Sequence, residues 1–150
     1  MFFFINPDGQ KACSCYTFEN GSNGVRNWQK ANDSCTFNTK HLLVLETLQE
    51  WEFINKTLKD QTANEYDEWH IGLFKNSTTG NWTWVNGKPL TIDKWQPWRP
   101  NTGTVYALIA KQHPPGYYGL FNSIKVYIRR AWICEEETGL NMLSCIQNVI

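Results

Sequence analysis

Helical periodicity stops at about residue 67, and that switch limits the fold of this chain more than any other feature of it. Before it, Val25, Trp28, Ala31 and Cys35 recur at helical spacing and define the inner face of a first helix. A second helix opens on a capping box. Thr47 can accept from a free N–H of the first turn, and Glu50 can accept from the Thr47 N–H. Leu48, Trp51, Ile54 and Leu58 then fall on one side, with Leu42-Leu43-Val44-Leu45 as a short buried lead-in. After the switch, Ile71, Leu73, Trp82, Trp84, Tyr106, Leu108, Trp132 and Cys134 lie in short alternating stretches. Turn chemistry separates them at Ser77 to Gly80, Asn86-Gly87 and Pro114-Pro115-Gly116. With Tyr16-Thr17-Phe18 as an early strand, the layout is α+β: one strand, two helices, then a loop-rich, mostly antiparallel sheet.

A chain of 150 residues suits one domain with one core, and no repeat or Pro/Gly-rich linker divides it. Its 14 basic and 14 acidic residues balance, which excludes the electrostatic footprint of a nucleic-acid or anionic-membrane binder. The longest apolar run, Val105 to Ala110, is far short of a membrane span. Met1 to Ile5 is too short for the core of a signal peptide. Met1 therefore reads as the start codon of an excised piece, with the secretion signal or membrane anchor outside this sequence.

Two signals set the compartment. The five cysteines, Cys13, Cys15, Cys35, Cys134 and Cys145, have neither zinc-knuckle nor redox-dithiol spacing. Asn-x-Ser/Thr sequons stand at Asn20, Asn32, Asn55, Asn76 and Asn81. Together they point to a secreted protein or an ectodomain carrying disulfides and N-linked glycans.

Five features occur in a fixed order. They are Cys15-Tyr16-Thr17-Phe18, Trp28-x-x-Ala31-x-x-x-Cys35, His70-Ile71-Gly72-Leu73, Trp82-Thr83-Trp84-x-x-Gly87 and Trp132-Ile133-Cys134-Glu135. In this order and at these spacings they resemble the C-type lectin-like domain. The resemblance covers residues 13–137, leaving 1–12 as a leader or linker and 138–150 as an extension carrying Cys145. It implies the two-helix, loop-rich fold read above and a binding module rather than an enzyme. It also implies a Cys35–Cys134 bridge between the first helix and the last strand. The family's second bridge, expected near Tyr106 and at Val126, has lost both cysteines. First and last strands are neighbours in such a fold, so Cys145 could reach Cys13 or Cys15, with Cys15 slightly favoured. The cysteine left over, Cys13 on that pairing, would meet upstream sequence or a second chain in a dimer, or remain a thiol.

Lectins of this family hold Ca²⁺ and a sugar through two segments rich in carboxylates and amides. The first matches Arg99-Pro100-Asn101, where a guanidinium replaces an anionic ligand. The second matches Phe121-Asn122-Ser123, where a hydroxyl replaces a carboxylate. Calcium needs six to eight oxygens, several of them anionic. No Asp or Glu occurs between residues 94 and 134. No metal and no cofactor is therefore expected.

The candidate ligand-binding residues are Trp98, Arg99, Asn101, Tyr117, Tyr118 and Asn122. Exposed Trp and Arg anchor protein interfaces, so a protein ligand or receptor is the leading partner. Trp95 reads as core packing, whereas Trp98 is open between core and interface. Tyr117, Tyr118 and Phe121 extend an aromatic patch or replace the packing of the missing bridge. His70 reads as a core or strand-edge histidine rather than a pH sensor. His41 and His113 read as isolated, and Glu135-Glu136-Glu137 as solvated surface. The expectation is a calcium-independent extracellular domain of a glycoprotein, anchored to a membrane only through sequence outside this segment. The rivals are a calcium-independent glycan binder and a structural domain of a multi-domain endocytic receptor.

Overall fold

The computed structural model describes residues 2–5, 11–19, 24–60, 68–110 and 119–138. Its strands are β1 (Phe2–Ile5), β2 (Lys11–Glu19), β3 (Arg26–Asn27), β4 (His41–Leu42), β5 (Glu68–Lys75), β6 (Trp82–Trp84), β7 (Tyr106–Ala110), β8 (Phe121–Ile124) and β9 (Arg129–Thr138). Helix α1 (Trp28–Phe37) lies between β3 and β4, and α2 (Leu48–Asp60) between β4 and β5. The sheet order is β1-β2-β9-β5-β7-β8, with β3 and β4 also pairing with β9 and β6 with β5. Every pair is antiparallel except β5 with β9. The two helices and mostly antiparallel sheet are the α+β layout read from the periodicity.

Helix α1 buries Trp28, Ala31 and Cys35, the stripe that its spacing marks. Val25 lies ahead of the helix rather than on it. Asn27 caps it, its Oδ1 accepting from the Lys30 N–H at 2.9 Å. In α2 the Glu50 N–H donates to Thr47 Oγ1 at 3.2 Å, one half of the capping box. The other half is rerouted. Glu50 Oε2 accepts from the Glu46 N–H at 3.1 Å, and Oε1 from Tyr16 OH at 2.8 Å. Ile54 and Leu58 are fully buried, but Leu48, in the first turn of the helix, is exposed.

Strand β5 is flanked by β9, β7 and β6. Both of its faces are covered, so its burial does not alternate. Leu43 to Leu45, Ile54, Leu58, Trp69, Ile71, Trp84 and Phe121 form the main core. Trp28, Cys35, Leu42, Trp132 and Cys134 form a second one. Cys35 and Cys134 are joined by a disulfide across 99 residues of sequence. Tyr106, near which a second bridge would have begun, stacks on Trp28 with ring centroids 4.2 Å apart. Val126, the other position that the resemblance marks, is exposed.

Two features of the N-terminal region add to the sequence reading. Residues 1–12 include β1, which pairs with β2 in register Phe2↔Ser14 to Ile5↔Lys11. The pairing covers the edge that β2 leaves open on the side away from β9. The early strand is also longer than Tyr16 to Phe18, because β9 continues to Thr138 and pairs with β2 back to Cys13. Cys15 is disulfide-bonded, and Cys145 lies outside the described residues. Cys13 is buried at 3% exposure, whereas a bridge to a second chain needs a sulfur at the surface. No helix among the described residues is long and apolar enough to cross a membrane.

Candidate functional site

The loop before β7 is fastened to β8 from below. Phe121 N–H donates to Lys94 O at 2.7 Å, and Gln96 N–H donates to Phe121 O at 2.8 Å. Trp95 packs between Trp82, at 4.9 Å, and Phe121, at 5.9 Å, as the core-packing reading requires. With Trp95 held underneath, the chain turns upward. Trp98 sits at φ 65 and is 92% exposed.

Arg99 and Asn101 follow and meet β8. Arg99 Nε donates to Asn122 Oδ1 at 2.7 Å, and its Nη1 to Asn101 Oδ1 at 3.2 Å. The Asn101 N–H donates to Ser123 Oγ at 2.8 Å. The two segments singled out by sequence are thus adjacent, and one guanidinium spans their two amide oxygens. Tyr117 and Tyr118 lie outside the described residues. Phe121 is fully buried and belongs to the core rather than to a surface patch.

A carboxylate does reach this site, from a strand remote in sequence. Glu68 opens β5 and is 7% exposed. Its Oε1 accepts from Asn122 Nδ2 at 3.3 Å, and its Oε2 from Arg130 Nε at 3.0 Å. The bond from Asn122 Nδ2 to Glu68, with that from Arg99 to Asn122 Oδ1, fixes the orientation of the Asn122 amide. The available signal was a carboxylate opening a strand of otherwise buried residues, Glu68-Trp69-His70-Ile71. A charge there needs a partner. Its second oxygen answers Arg130, so the carboxylate is already compensated when it meets Asn122.

His70 is fully buried, with its Nε2 2.7 Å from Arg26 O. Burial, with Arg130 nearby, pushes its imidazole down to about 4. That places it with the core histidines. The other two readings of ionisable groups change. Glu135 is 1% exposed rather than solvated, and accepts from Ser14 Oγ at 2.8 Å and Val44 N–H at 3.0 Å. Its position on β9 faces β2 and β4 from the inner side, and burial with Glu50 close by holds its carboxyl well above the usual range. His41 is not isolated either, because its ring lies with Glu135 and Glu137 in a group whose ligand atoms are within 4.8 Å.

The sequons differ in accessibility. Asn76 and Asn81 flank the β5–β6 turn, the latter exposed. Asn32 is half-buried on α1. The Asn55 Oδ1 is buried without a partner, against Gly119. Asn20 lies outside the described residues.

The fold and this pair of loops define a class of binding domain. The model of the Lectin C-type domain family matches residues 25–136, and the chain belongs to that family, a family of binding modules rather than enzymes. It is 27% identical over 123 residues to human C-type lectin domain family 17, member A, covering 82% of this chain and 29% of that protein. It is 26% identical over 134 residues to the bovine oxidized low-density lipoprotein receptor 1, covering 89% of this chain and 42% of that protein. The chain thus spans less than half the length of these curated relatives. Among solved structures it resembles the Ca²⁺-independent C-type lectin SPL-2 from Saxidomus purpuratus, with a TM-score of 0.72 and 24% identity over 87% of this chain and 92% of that one.

Proposed function

We propose that this chain is a calcium-independent C-type lectin-like ectodomain of a cell-surface or secreted glycoprotein that binds a protein partner through its long-loop face. The domain proper occupies residues 13–137, and the extension 138–150 contributes Cys145. One observation carries the reading: the Arg99 guanidinium donates to both Asn101 and Asn122. The oxygens left for a cation are thereby engaged by a group of the same charge sign. A hard divalent ion prefers several anionic oxygens, and Glu68 is already paired with Arg130. The exposed indole of Trp98 beside this site supplies the apolar anchor of a protein interface.

Thermal unfolding during a calcium titration tests the reading, because a ligand that binds only the folded state raises the melting temperature. An unchanged melting temperature is expected, and a saturable rise would overturn calcium independence. A second reading, glycan binding without calcium, is favoured by the likeness to SPL-2, since this fold accommodates a Ca²⁺-independent lectin. Glycan-array binding that persists in chelator selects it, and a cross-linked protein partner with a silent array selects the first.

A further inference from the structure

Charge is segregated along this neutral chain. Lys94, Arg99, Lys111, Lys125, Arg129 and Arg130 fall between residues 94 and 134, while all 14 carboxylates fall outside that stretch. The fold gathers part of this excess into a continuous strip. Arg99 bonds Asn122, Asn122 bonds Glu68, and Glu68 bonds Arg130. Arg130 stands directly across from Arg26 in the β3–β9 ladder, and Arg129, the residue before it, turns its Nε to Val25 O, next to Arg26 in the chain. Four guanidiniums therefore lie on one bonded and strand-paired path, and Glu68 is the carboxylate that answers them among the described residues.

Like charges opposite one another in a ladder are disfavoured. Among the described residues Glu68 offsets Arg130, while Arg26 lies 5.7 Å over the Trp132 ring with no carboxylate partner. Arg129 donates to a backbone carbonyl, Val25 O, at 3.1 Å, which leaves its charge uncompensated. Folding alone would be served better by neutral residues at both positions. Such an uncompensated cationic strip attracts an anionic partner and orients its approach.

We propose that the strip from Arg99 to Arg26 and Arg129 docks an acidic protein surface, with Trp98 as the apolar anchor at one end. The proposal rests on the reading of the long-loop face as the binding face and names the chemistry of its partner. Guanidinium forks match carboxylates in geometry as well as charge. Arginines beside a projecting indole are also the combination found at protein hot spots, which favours an acidic polypeptide over a sulfated polysaccharide.

The test measures binding of the folded chain to an immobilised random copolymer of glutamate and tyrosine, with heparin as the comparison. Binding to the copolymer is expected to weaken about tenfold or more between about 50 and about 300 mM salt. The double variant R26Q/R129Q is expected to lower it by about tenfold at low salt. R26K/R129K, which keeps the charges, should restore most of it. K56Q/K75Q removes the same charge from outside the strip and should leave it within about twofold. Melting curves of each variant show that it is folded.

Absence of copolymer binding overturns the proposal, as does an equal loss in R26Q/R129Q and K56Q/K75Q. Heparin binding tighter than copolymer binding, and lost in R26Q/R129Q, assigns the strip to a sulfated polysaccharide and overturns it too. The calcium titration reads the other reading separately. A calcium-induced rise in melting temperature with copolymer binding intact sinks calcium independence and leaves the strip standing. A flat calcium response without copolymer binding does the reverse.

Discussion

Trp98 holds a backbone conformation that bulky residues rarely adopt, φ 65, while its ring lies in solvent. Left-handed backbone costs a residue with a Cβ roughly 1–2 kcal/mol relative to glycine. Nothing in the core repays it, because Trp95 does the packing beneath. Trp98→Gly should therefore raise stability by up to about 1 kcal/mol in chemical denaturation. It should also weaken binding at the long-loop face by about 30-fold, as loss of an interface anchor does. His70 makes a second residue-level prediction. Its imidazole lies at about 4 in the fold and near 6.5 when unfolded. Between those values the unfolded chain takes up a proton that the folded chain refuses. The stabilisation is complete above about 6.5 and is lost as pH falls toward 4, to a total of about 3 kcal/mol. The buried Glu50 and Glu135 carboxyls, both raised, act in the opposite sense. Their share is present at low pH and is lost as pH rises through their folded values. Melting temperature against pH should thus lose its acid-side slope in His70→Gln and its slope toward higher pH in Glu135→Gln.

At the scale of elements, α1 was legible from its stripe because one face of it meets the core and the other meets water. Strand β5 was less so. It sits between β9, β7 and β6, so alternation vanished and nothing in the local pattern set Glu68 apart. Gly72 shows how closely its neighbours approach. A Cβ there would lie 2.8 Å from Leu42 O and 2.9 Å from Leu43 O, and the Gly72 N–H donates to Leu43 O at 2.7 Å. Backbone carbonyls cannot give way as a flexible side chain does. Gly72→Ala is expected to cost about 2–3 kcal/mol in chemical denaturation, by displacing the Leu42 to Leu45 segment from the sheet. Half of the capping box of α2 was legible too, since Thr47 acts locally. The reach of Glu50 was not, because Tyr16 comes from another strand.

Across the whole molecule, the Cys35–Cys134 bond ties the first helix to the last strand over a separation of 99 residues. In the chain-entropy account, a link of that span stabilises by roughly 4–5 kcal/mol. The Cys35→Ala/Cys134→Ala pair should lose about that much, leaving a chain that is largely unfolded at body temperature in circular dichroism. Reducing the parent protein should lose at least as much, because Cys15 is disulfide-bonded as well. By itself the sequence determined the layout of two helices ahead of a loop-rich sheet and the absence of carboxylates from Arg99-Pro100-Asn101 and Phe121-Asn122-Ser123. Those follow from local periods, turn chemistry and residue identity, which need no knowledge of distant neighbours. Only the tertiary structure decided that Arg99 bridges Asn101 and Asn122, that Glu68 arrives from β5 already paired, and that Glu135 is interior. Each is set by contacts between residues far apart in the chain, where burial and charge depend on what the fold brings alongside.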